Sequence, residues 1–299
     1  MAIYHCSVKV GSRSSGANAV ASDAYREAKK IYDEKLGLTH DYSKKLDVIE
    51  SITMIPDNAP EEFQNSSNLW NEVERVEKRK DAQVFREVEV ALPIELSHEE
   101  NRKLTIHYVQ SQFVDQGMCA TVSFHRSKNE ENPHAHIMLT TRSVNQDGFG
   151  QKNRVWNDRS NINVWREEWA KSVNQGLEIN GIEERVDHRS YEEQGIDRLP
   201  TVHMGKTATA LERQGVHTER GDINREIERE NHQSQAVSEE IEQGIDNVEQ
   251  LLEQFQAQKA LEAHQREMQR QREEKIKEKL EEGLRALERK NQRHRGMRM

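Results

Sequence analysis

The most informative stretch of this 299-residue sequence is His125-Arg126-Ser127-Lys128-Asn129-Glu130-Glu131-Asn132-Pro133-His134-Ala135-His136. Residues 121–124 before it and 137–140 after it alternate as strands do, and the residues between favour a turn. The stretch therefore predicts a β-hairpin. Because residues two apart on a strand share a face, His134 and His136 project together, and the partner strand can add His125.

Three imidazoles on one sheet face can hold a divalent cation and leave positions open for substrate oxygens. The simpler interpretation is three solvated histidines beside a loop. A pair on one face with a third histidine across the hairpin favours the metal site. We therefore predict a metal centre at His125, His134 and His136, although a metal alone does not identify a reaction.

The composition indicates that only part of the chain builds a core. Hydrophobic residues make up 33%, charged residues 32% and aromatic residues 5%, which is lean for one globular unit. Apolar residues concentrate before about residue 200, and polar helix formers dominate after it. The net charge of −9 weakens a simple nucleic-acid interpretation, but much of the acid lies in the C-terminal half, so local basic patches could still bind DNA.

Several protein classes are disfavoured. Cys6 and Cys119 cannot form a disulfide framework and lack metal-motif spacing. The sequence has no apolar run of membrane-spanning length and no signal-peptide core at its start. We therefore expect a soluble, cytoplasmic protein without membrane insertion.

The first helix is predicted over residues 17–36, with a stripe of small residues and Gly37 at its end. Tyr25 lies at the edge of that stripe, close to three cations. Spacing alone favours an aromatic that closes the helix–sheet interface. The small residues, however, would let a bulky substrate approach, and cations can hold phosphates. These cations are Arg26, Lys29 and Lys30.

Residues 82–93 predict a strand with Glu87 and Glu89 on one face. Metal-bound histidines usually donate their second ring N–H to a carboxylate or carbonyl, so either glutamate could orient the histidines. Glutamates on a solvent face are an equally good interpretation. His5, on the polar face of the first strand, could be a further site residue, but a surface histidine is the simpler interpretation.

A polar, basic loop follows the hairpin and could contact a nucleic-acid backbone, although charged loops are usually only solvated. With the first helix and the hairpin, it supplies our candidate DNA contacts. They are Arg26, Lys29, Lys30, Arg126, Arg142, Lys152 and Arg154.

Strand and helix patterns interleave, and a hairpin carries the candidate site. We expect an α+β domain over residues 1–185, with an antiparallel-rich central sheet, helices packed on one face and the other face open. Residues 186–235 predict a polar, helical extension. Residues 236–299 predict charged long C-terminal helices with partial coiled-coil character, which could support self-association.

The chain resembles the MobA/MobL mobilisation relaxases of the HUH endonuclease superfamily (MOBQ type). His134-Ala135-His136 is similar to the His-hydrophobic-His motif, and the resemblance covers about residues 1–230. The motifs that carry it are Met1-Ala2-Ile3-Tyr4-His5, Ala24-Tyr25, Phe85-Arg86-Glu87-Val88-Glu89-Val90-Ala91-Leu92-Pro93 and Glu131-Asn132-Pro133-His134-Ala135-His136, followed by Asp187-His188-Arg189-Ser190-Tyr191 and Arg220-Gly221-Asp222-Ile223-Asn224-Arg225.

The resemblance implies site- and strand-specific nicking at a transfer origin, oriT. Tyr25 would attack the scissile phosphate and form a 5′-phosphotyrosine link, which is later rejoined. His125, His134 and His136 would bind Mg²⁺ or Mn²⁺. Glu87 would support the histidines, Glu89 is a weaker candidate, and Tyr32 is expected to be structural.

The resemblance also implies partners: single-stranded or supercoiled oriT DNA, a type IV secretion coupling protein and accessory mobilisation proteins. The sequence leaves rival functions open. A rolling-circle replication initiator or an HUH transposase would use the same chemistry, and a metal phosphodiesterase would lack the covalent step. A helical scaffold or DNA-binding protein with an incidental histidine hairpin would not cleave at all.

Overall fold

The computed structural model describes residues 3–126 and 132–296. The predicted hairpin turn at residues 127–131 and the C-terminal residues 297–299 lie outside the described residues. The chain divides into two compact units, Met1–Arg189 and Ser190–Met299. Within the described residues, no helix is both long enough and apolar enough to cross a membrane.

The described residues of the first unit form nine strands and four α-helices. The strands are β1 (Cys6–Ser12), β2 (Lys30–Asp33), β3 (Leu38–Asp41), β4 (Val48–Met54), β5 (Gln83–Ala91), β6 (Ala120–His125), β7 (His134–Leu139), β8 (Arg142–Asn145) and β9 (Gly148–Lys152). The helices are α1 (Ala19–Glu27), α2 (Ser66–Val76), α3 (His98–Val109) and α4 (Arg159–Ile179).

The central sheet has five strands in the order β1-β5-β7-β6-β4, and all its neighbours are antiparallel. The predicted hairpin is β6–β7, in which His125 lies opposite His134 and Ser123 lies opposite His136. Two further antiparallel pairs, β2–β3 and β8–β9, form small separate sheets. The predicted antiparallel-rich α+β fold is confirmed.

One face of the sheet packs on α3 and α4. Val88, Val122 and Ile137 are fully buried there against aromatic side chains of the helices, including Tyr108 and Trp169. A capping box opens α3: the Ser97 side chain accepts from the Glu100 N–H, and the Glu100 side chain accepts from the Ser97 N–H. The hydrophobic core on this face of the sheet is the larger of two cores in the unit.

The other face carries the histidines and is only partly open. The apolar residues of α1 and α2 pack on it in a second core, and Trp70 Nε1 donates a 2.9 Å hydrogen bond to Thr121 Oγ1. The small residues Ala19, Val20 and Ala24 are fully buried, which lets α1 lie close to the sheet. The expectation of a wholly open face therefore holds only beside the histidines.

The first helix is shorter than predicted. It ends at Glu27, and Ala28 takes a left-handed backbone conformation with φ 53°. Strand β2 follows, with Ile31 and Asp33 buried, and Asn18 Nδ2 donates to Asp33 Oδ2 at 2.7 Å. The burial of alternate residues overrode the helical propensity of residues 28–36. Lys30 and Tyr32 therefore lie on a strand.

The second unit contains α5 (Gly205–Arg213) and α6 (Glu219–Gly296). Two asparagines of α6 bind the backbone of the segment before α5. The side-chain amide of Asn224 accepts from the Val202 N–H and donates to the Val202 carbonyl. Asn231 makes the same two hydrogen bonds with Leu199. From Val237 to Phe255, the large apolar residues of α6 repeat mostly at three- and four-residue steps and are 53–66% exposed; they include Ile241, Ile245, Val248, Leu252 and Phe255.

Candidate active site

The three histidines of the predicted metal centre converge on one face of β6 and β7. One ring nitrogen from each of His125, His134 and His136 lies within 4.8 Å of the corresponding atoms of the other two. The ring centroids are 4.7–5.4 Å apart. The strand register produces this convergence, because His125 faces His134 directly and His136 follows two residues later.

Each histidine has one ring nitrogen bonded to an acceptor. His125 Nε2 donates to the Arg26 carbonyl at 2.7 Å, and His134 Nδ1 donates to the Asn132 carbonyl at 2.9 Å. His136 Nδ1 donates to Glu87 Oε1 at 2.8 Å. Because a carbonyl or carboxylate can only accept, each bond fixes the tautomer and leaves the other ring nitrogen as a lone-pair ligand. The donor set fits a divalent cation.

His125 is buried, with only 2% of its surface exposed. Burial first, and then the neighbouring His136, lower the pKa of its imidazole to about 4, although the hydrogen bond to the Arg26 carbonyl opposes the shift. His125 is therefore neutral at pH 7, which is the form that binds a metal.

Glu87 lies on β5 beside the histidines. Its Oε1 also accepts from Arg26 Nε at 2.6 Å. Burial by itself would raise the pKa of this carboxyl group, but the hydrogen bonds from His136 and Arg26 outweigh it and hold the pKa well below its usual range. Glu87 is therefore a charged carboxylate that orients His136.

Glu89 and His5 differ from Glu87 in their contacts. Glu89 lies opposite His136 in the strand register, yet its Oε2 pairs with Lys9 Nζ at 2.9 Å. His5 lies just before β1, and its carbonyl accepts from the Ala91 N–H at 3.1 Å. Of the two glutamates considered from the sequence, Glu87 is the one that contacts a histidine of the triad.

Tyr25 lies in the last turn of α1 and is 48% exposed. Its neighbour Arg26 ties this turn to the histidines twice, through its side chain to Glu87 and through its carbonyl to His125. The helix that carries the predicted nucleophile is thus anchored directly to the predicted metal ligands. An accessible phenol on a helix that is anchored to a candidate cation site suits attack on a phosphodiester.

Three residues of the loop between β3 and β4 also meet at Tyr25 and His125 and were missed from the sequence. The Tyr42 ring lies edge-on to the Tyr25 ring with centroids 5.3 Å apart, and Lys45 Nζ lies 3.6 Å from the Tyr25 ring centroid. Asp47 Oδ2 is 3.9 Å from His125 Nδ1. Sequence periodicity carries no signal for them, because they lie in an irregular loop.

The predicted DNA contacts divide into two groups. In the first, Arg26 is bonded to Glu87, Lys29 Nζ pairs with Glu27 at 2.8 Å, and Lys30 Nζ lies 3.9 Å from Asp41. The exposed Arg126, which follows His125, donates its backbone N–H to the Asp47 carbonyl. Within this group, Arg26 is the residue whose side chain reaches the carboxylate that orients His136.

The second group lies near the start of strand β5. The part of β5 that pairs with His134 is at the other end of the strand. Arg142 Nε and Lys152 Nζ both bind the carboxylate of the buried Glu77, at 2.8 Å and 3.2 Å. With Arg154 they line a cavity of about 600 Å³. Two of these predicted DNA contacts, Arg142 and Lys152, are therefore already engaged in ion pairs with Glu77.

The chain is similar to known proteins of one family. The model of the MobA/MobL family matches residues 17–214. A conjugal transfer protein TraA of Rhizobium radiobacter is 34% identical over 260 residues, covering 77% of this chain and 23% of that protein. The mobilization protein MobL of Acidithiobacillus ferridurans is 33% identical over 246 residues, covering 71% of this chain and 64% of that protein.

A solved structure described as the molecular basis of vancomycin resistance transfer in Staphylococcus aureus has the same fold. It is 36% identical with a TM-score of 0.60 and covers 64% of this chain and 100% of its own. The chain spans about a quarter of the length of the conjugal transfer proteins that it matches.

Proposed function

This chain belongs to the MobA/MobL family, and we propose that it is a DNA relaxase of plasmid conjugation and mobilisation. It would nick one strand of oriT by transesterification, hold the strand as a 5′-phosphotyrosine intermediate and later rejoin it. The observation that carries this proposal is the anchoring of the Tyr25 helix to the histidine cluster through Arg26.

The cation would bind the free ring nitrogens of His125, His134 and His136. Bound there, Mg²⁺ or Mn²⁺ would polarise the scissile phosphate and neutralise charge that develops during attack. Glu87 keeps His136 in the tautomer and orientation that a ligand needs. The Arg26 carbonyl does the same for the buried His125.

Tyr25 would supply the nucleophile. Its oxygen bonds to phosphorus, and the 3′ oxygen of the upstream nucleotide leaves, so the downstream strand stays attached through its 5′ phosphate. A phenolate is a good leaving group because the ordinary pKa of a tyrosine is about 10. The link therefore preserves the diester for rejoining, which suits a reaction that must later restore the strand.

The remaining assignments belong to the same proposal. Arg126, Arg154, Lys29 and Lys30 would contact the DNA backbone, with Arg142 and Lys152 contributing beside Glu77. We assign the relaxase domain to residues 1–185, an associated extension to 186–235 and a helical region to 236–299. The protein would work in the cytoplasm and engage a type IV coupling protein, accessory mobilisation proteins and a second copy through α6.

The test uses a single-stranded oligonucleotide bearing the nick site, first selected from a randomised pool and labelled at its 3′ end. With Mn²⁺, the labelled strand should become covalently attached to the protein, and chelation of the metal should abolish the attachment. Tyr25→Phe should bind the oligonucleotide but form no adduct. Cleavage without an adduct would support the metal phosphodiesterase instead.

Substrate choice separates a relaxase from a replication initiator or a transposase. A relaxase acts on the transfer origin, whereas an initiator or transposase acts on a replication origin or an element end. Three supercoiled plasmids can be compared directly: one carries a transfer origin, one a replication origin and one an element end. Relaxation of the oriT plasmid in preference to the others supports the proposed function, and preference for a replication origin contradicts it.

A further inference from the structure

The loop at residues 42–47 connects the predicted nucleophile to a predicted metal ligand. It begins at Tyr42, whose ring contacts the Tyr25 ring, and it ends at Asp47, whose Oδ2 is 3.9 Å from His125 Nδ1. The Asp47 carbonyl also accepts the N–H of Arg126 at 2.9 Å. Lys45 lies between these two ends of the loop.

The ammonium group of Lys45 contacts both Tyr25 and Asp47. It donates to the Tyr25 carbonyl at 3.0 Å, lies 3.6 Å from the Tyr25 ring centroid, and is 3.5 Å from Asp47 Oδ2. The side chain is only 19% exposed, so its position is defined by packing as well as by charge. The loop fixes its direction, because the Lys45 N–H donates to the Tyr42 carbonyl at 3.0 Å.

One role for such a lysine is purely structural. The carbonyls of a last helical turn lack helical partners, and a lysine often satisfies one of them. The position over the Tyr25 ring adds a second effect. A cation is attracted to the face of an aromatic ring, and this attraction grows when the phenol oxygen becomes negative, because that charge spreads into the ring.

We propose that Lys45 is a positioning residue for Tyr25, which holds the ring in place and stabilises the negative charge that its oxygen carries during attack on DNA. This inference rests on the proposed function. In that step the Tyr25 oxygen bonds to phosphorus and the bond to the 3′ oxygen breaks. The phenol loses its proton to water, and the 3′ oxygen gains one.

The first measurement is the rate of adduct formation in a single turnover with saturating oligonucleotide, so that differences in DNA affinity cancel. Lys45→Met should slow the reaction roughly tenfold. Lys45→Arg, which keeps the charge, should be clearly faster than Lys45→Met. The matched control is Lys44→Met, which removes the same charge from an exposed neighbour and should stay within about twofold of the wild type.

A second measurement separates the charge effect from loss of structure. Tyr25 is replaced by 3-fluorotyrosine, whose phenol is more acidic. This replacement should restore much of the rate lost in Lys45→Met, while circular dichroism and DNA affinity stay unchanged. A slow Lys45→Met protein that fluorotyrosine does not restore would show a structural role only and overturn the proposal, as would a Lys45→Met rate equal to the wild-type rate.

The fluorine label also gives a test without DNA. Its resonance in the folded protein should move when Lys45 is replaced by methionine and stay in place when Lys44 is replaced. An unmoved resonance would show that Lys45 does not hold the ring. If the wild type forms no adduct, the proposed function fails, while this spectrum still decides whether Lys45 positions Tyr25.

Discussion

Replacement of Glu87 by glutamine should weaken metal binding without disturbing the fold. Glu87 Oε1 accepts from His136 Nδ1 at 2.8 Å and from Arg26 Nε at 2.6 Å. Glutamine keeps the shape but removes the charge that strengthens both bonds. Loss of such an outer partner typically costs ten- to a hundredfold in metal affinity, which corresponds to about 1.4–2.7 kcal/mol.

The matched control is Glu89→Gln. Glu89 lies on the same strand and the same sheet face and carries the same charge, but it pairs with Lys9 rather than with a histidine. Its replacement should change the affinity by less than about fivefold, because a largely solvated ion pair contributes at most about 1 kcal/mol. Subtracting this control removes the general electrostatic effect of one lost negative charge near the cation.

Isothermal titration of MnCl₂ into each protein at pH 7.5 measures the difference, with circular dichroism as the check on folding. The expected order of affinity is wild type, then Glu89→Gln close behind, then Glu87→Gln clearly lower. Equal losses in both variants would show that Glu87 acts only through its charge. An unchanged affinity in Glu87→Gln would refute its role in orienting His136.

Three further predictions concern stability and assembly. Asp23 is fully buried, and burial followed by the charge of Glu27 raises its pKa well above the usual value. The folded state therefore retains on Asp23 a proton that the unfolded state releases, so the contribution of Asp23 to stability falls as pH rises above about 4. Asp23→Asn should raise the unfolding free energy at pH 8 by about 1–3 kcal/mol and flatten that slope in urea titrations, and an unchanged slope would contradict this interpretation. Glu77→Gln should cost about 1–3 kcal/mol in the same assay, because it leaves the partly exposed Arg142 and Lys152 without their shared carboxylate, and no loss would show that their pairing is incidental. If α6 mediates self-association, analytical ultracentrifugation should show an oligomer that Leu252→Glu converts to a monomer, and a monomeric wild type would argue against it.

The sequence predicted those parts of the site that follow from local periodicity. Two-residue spacing placed His134 and His136 on one face, and the hairpin added His125, because register follows once two strands pair. Glu87 and Glu89 could not be told apart in this way. Both occupy the same face of β5. Only the three-dimensional structure shows that Glu89 pairs with Lys9 and that Glu87 accepts from His136.

The parts that were missed depend on contacts between distant segments. The helix pattern continued past Glu27 in the sequence, but burial of Ile31 and Asp33 made residues 30–33 a strand. Likewise, Lys45 reaches Tyr25 from a loop whose own residues show no periodic pattern. Helices on both sheet faces were also not anticipated, because the small residues of α1 indicated an approach surface for substrate rather than a packing surface.

Peptide mapping of the covalent adduct tests the central claim most directly. After reaction with the 3′-labelled oligonucleotide and Mn²⁺, the protein is digested with protease and nuclease, and mass spectrometry locates the modified residue. We predict a nucleotide joined through its 5′ phosphate to Tyr25. Attachment at Tyr32 or Tyr42, or cleaved DNA with no modified peptide, would contradict the assignment of Tyr25 as the nucleophile of this histidine centre.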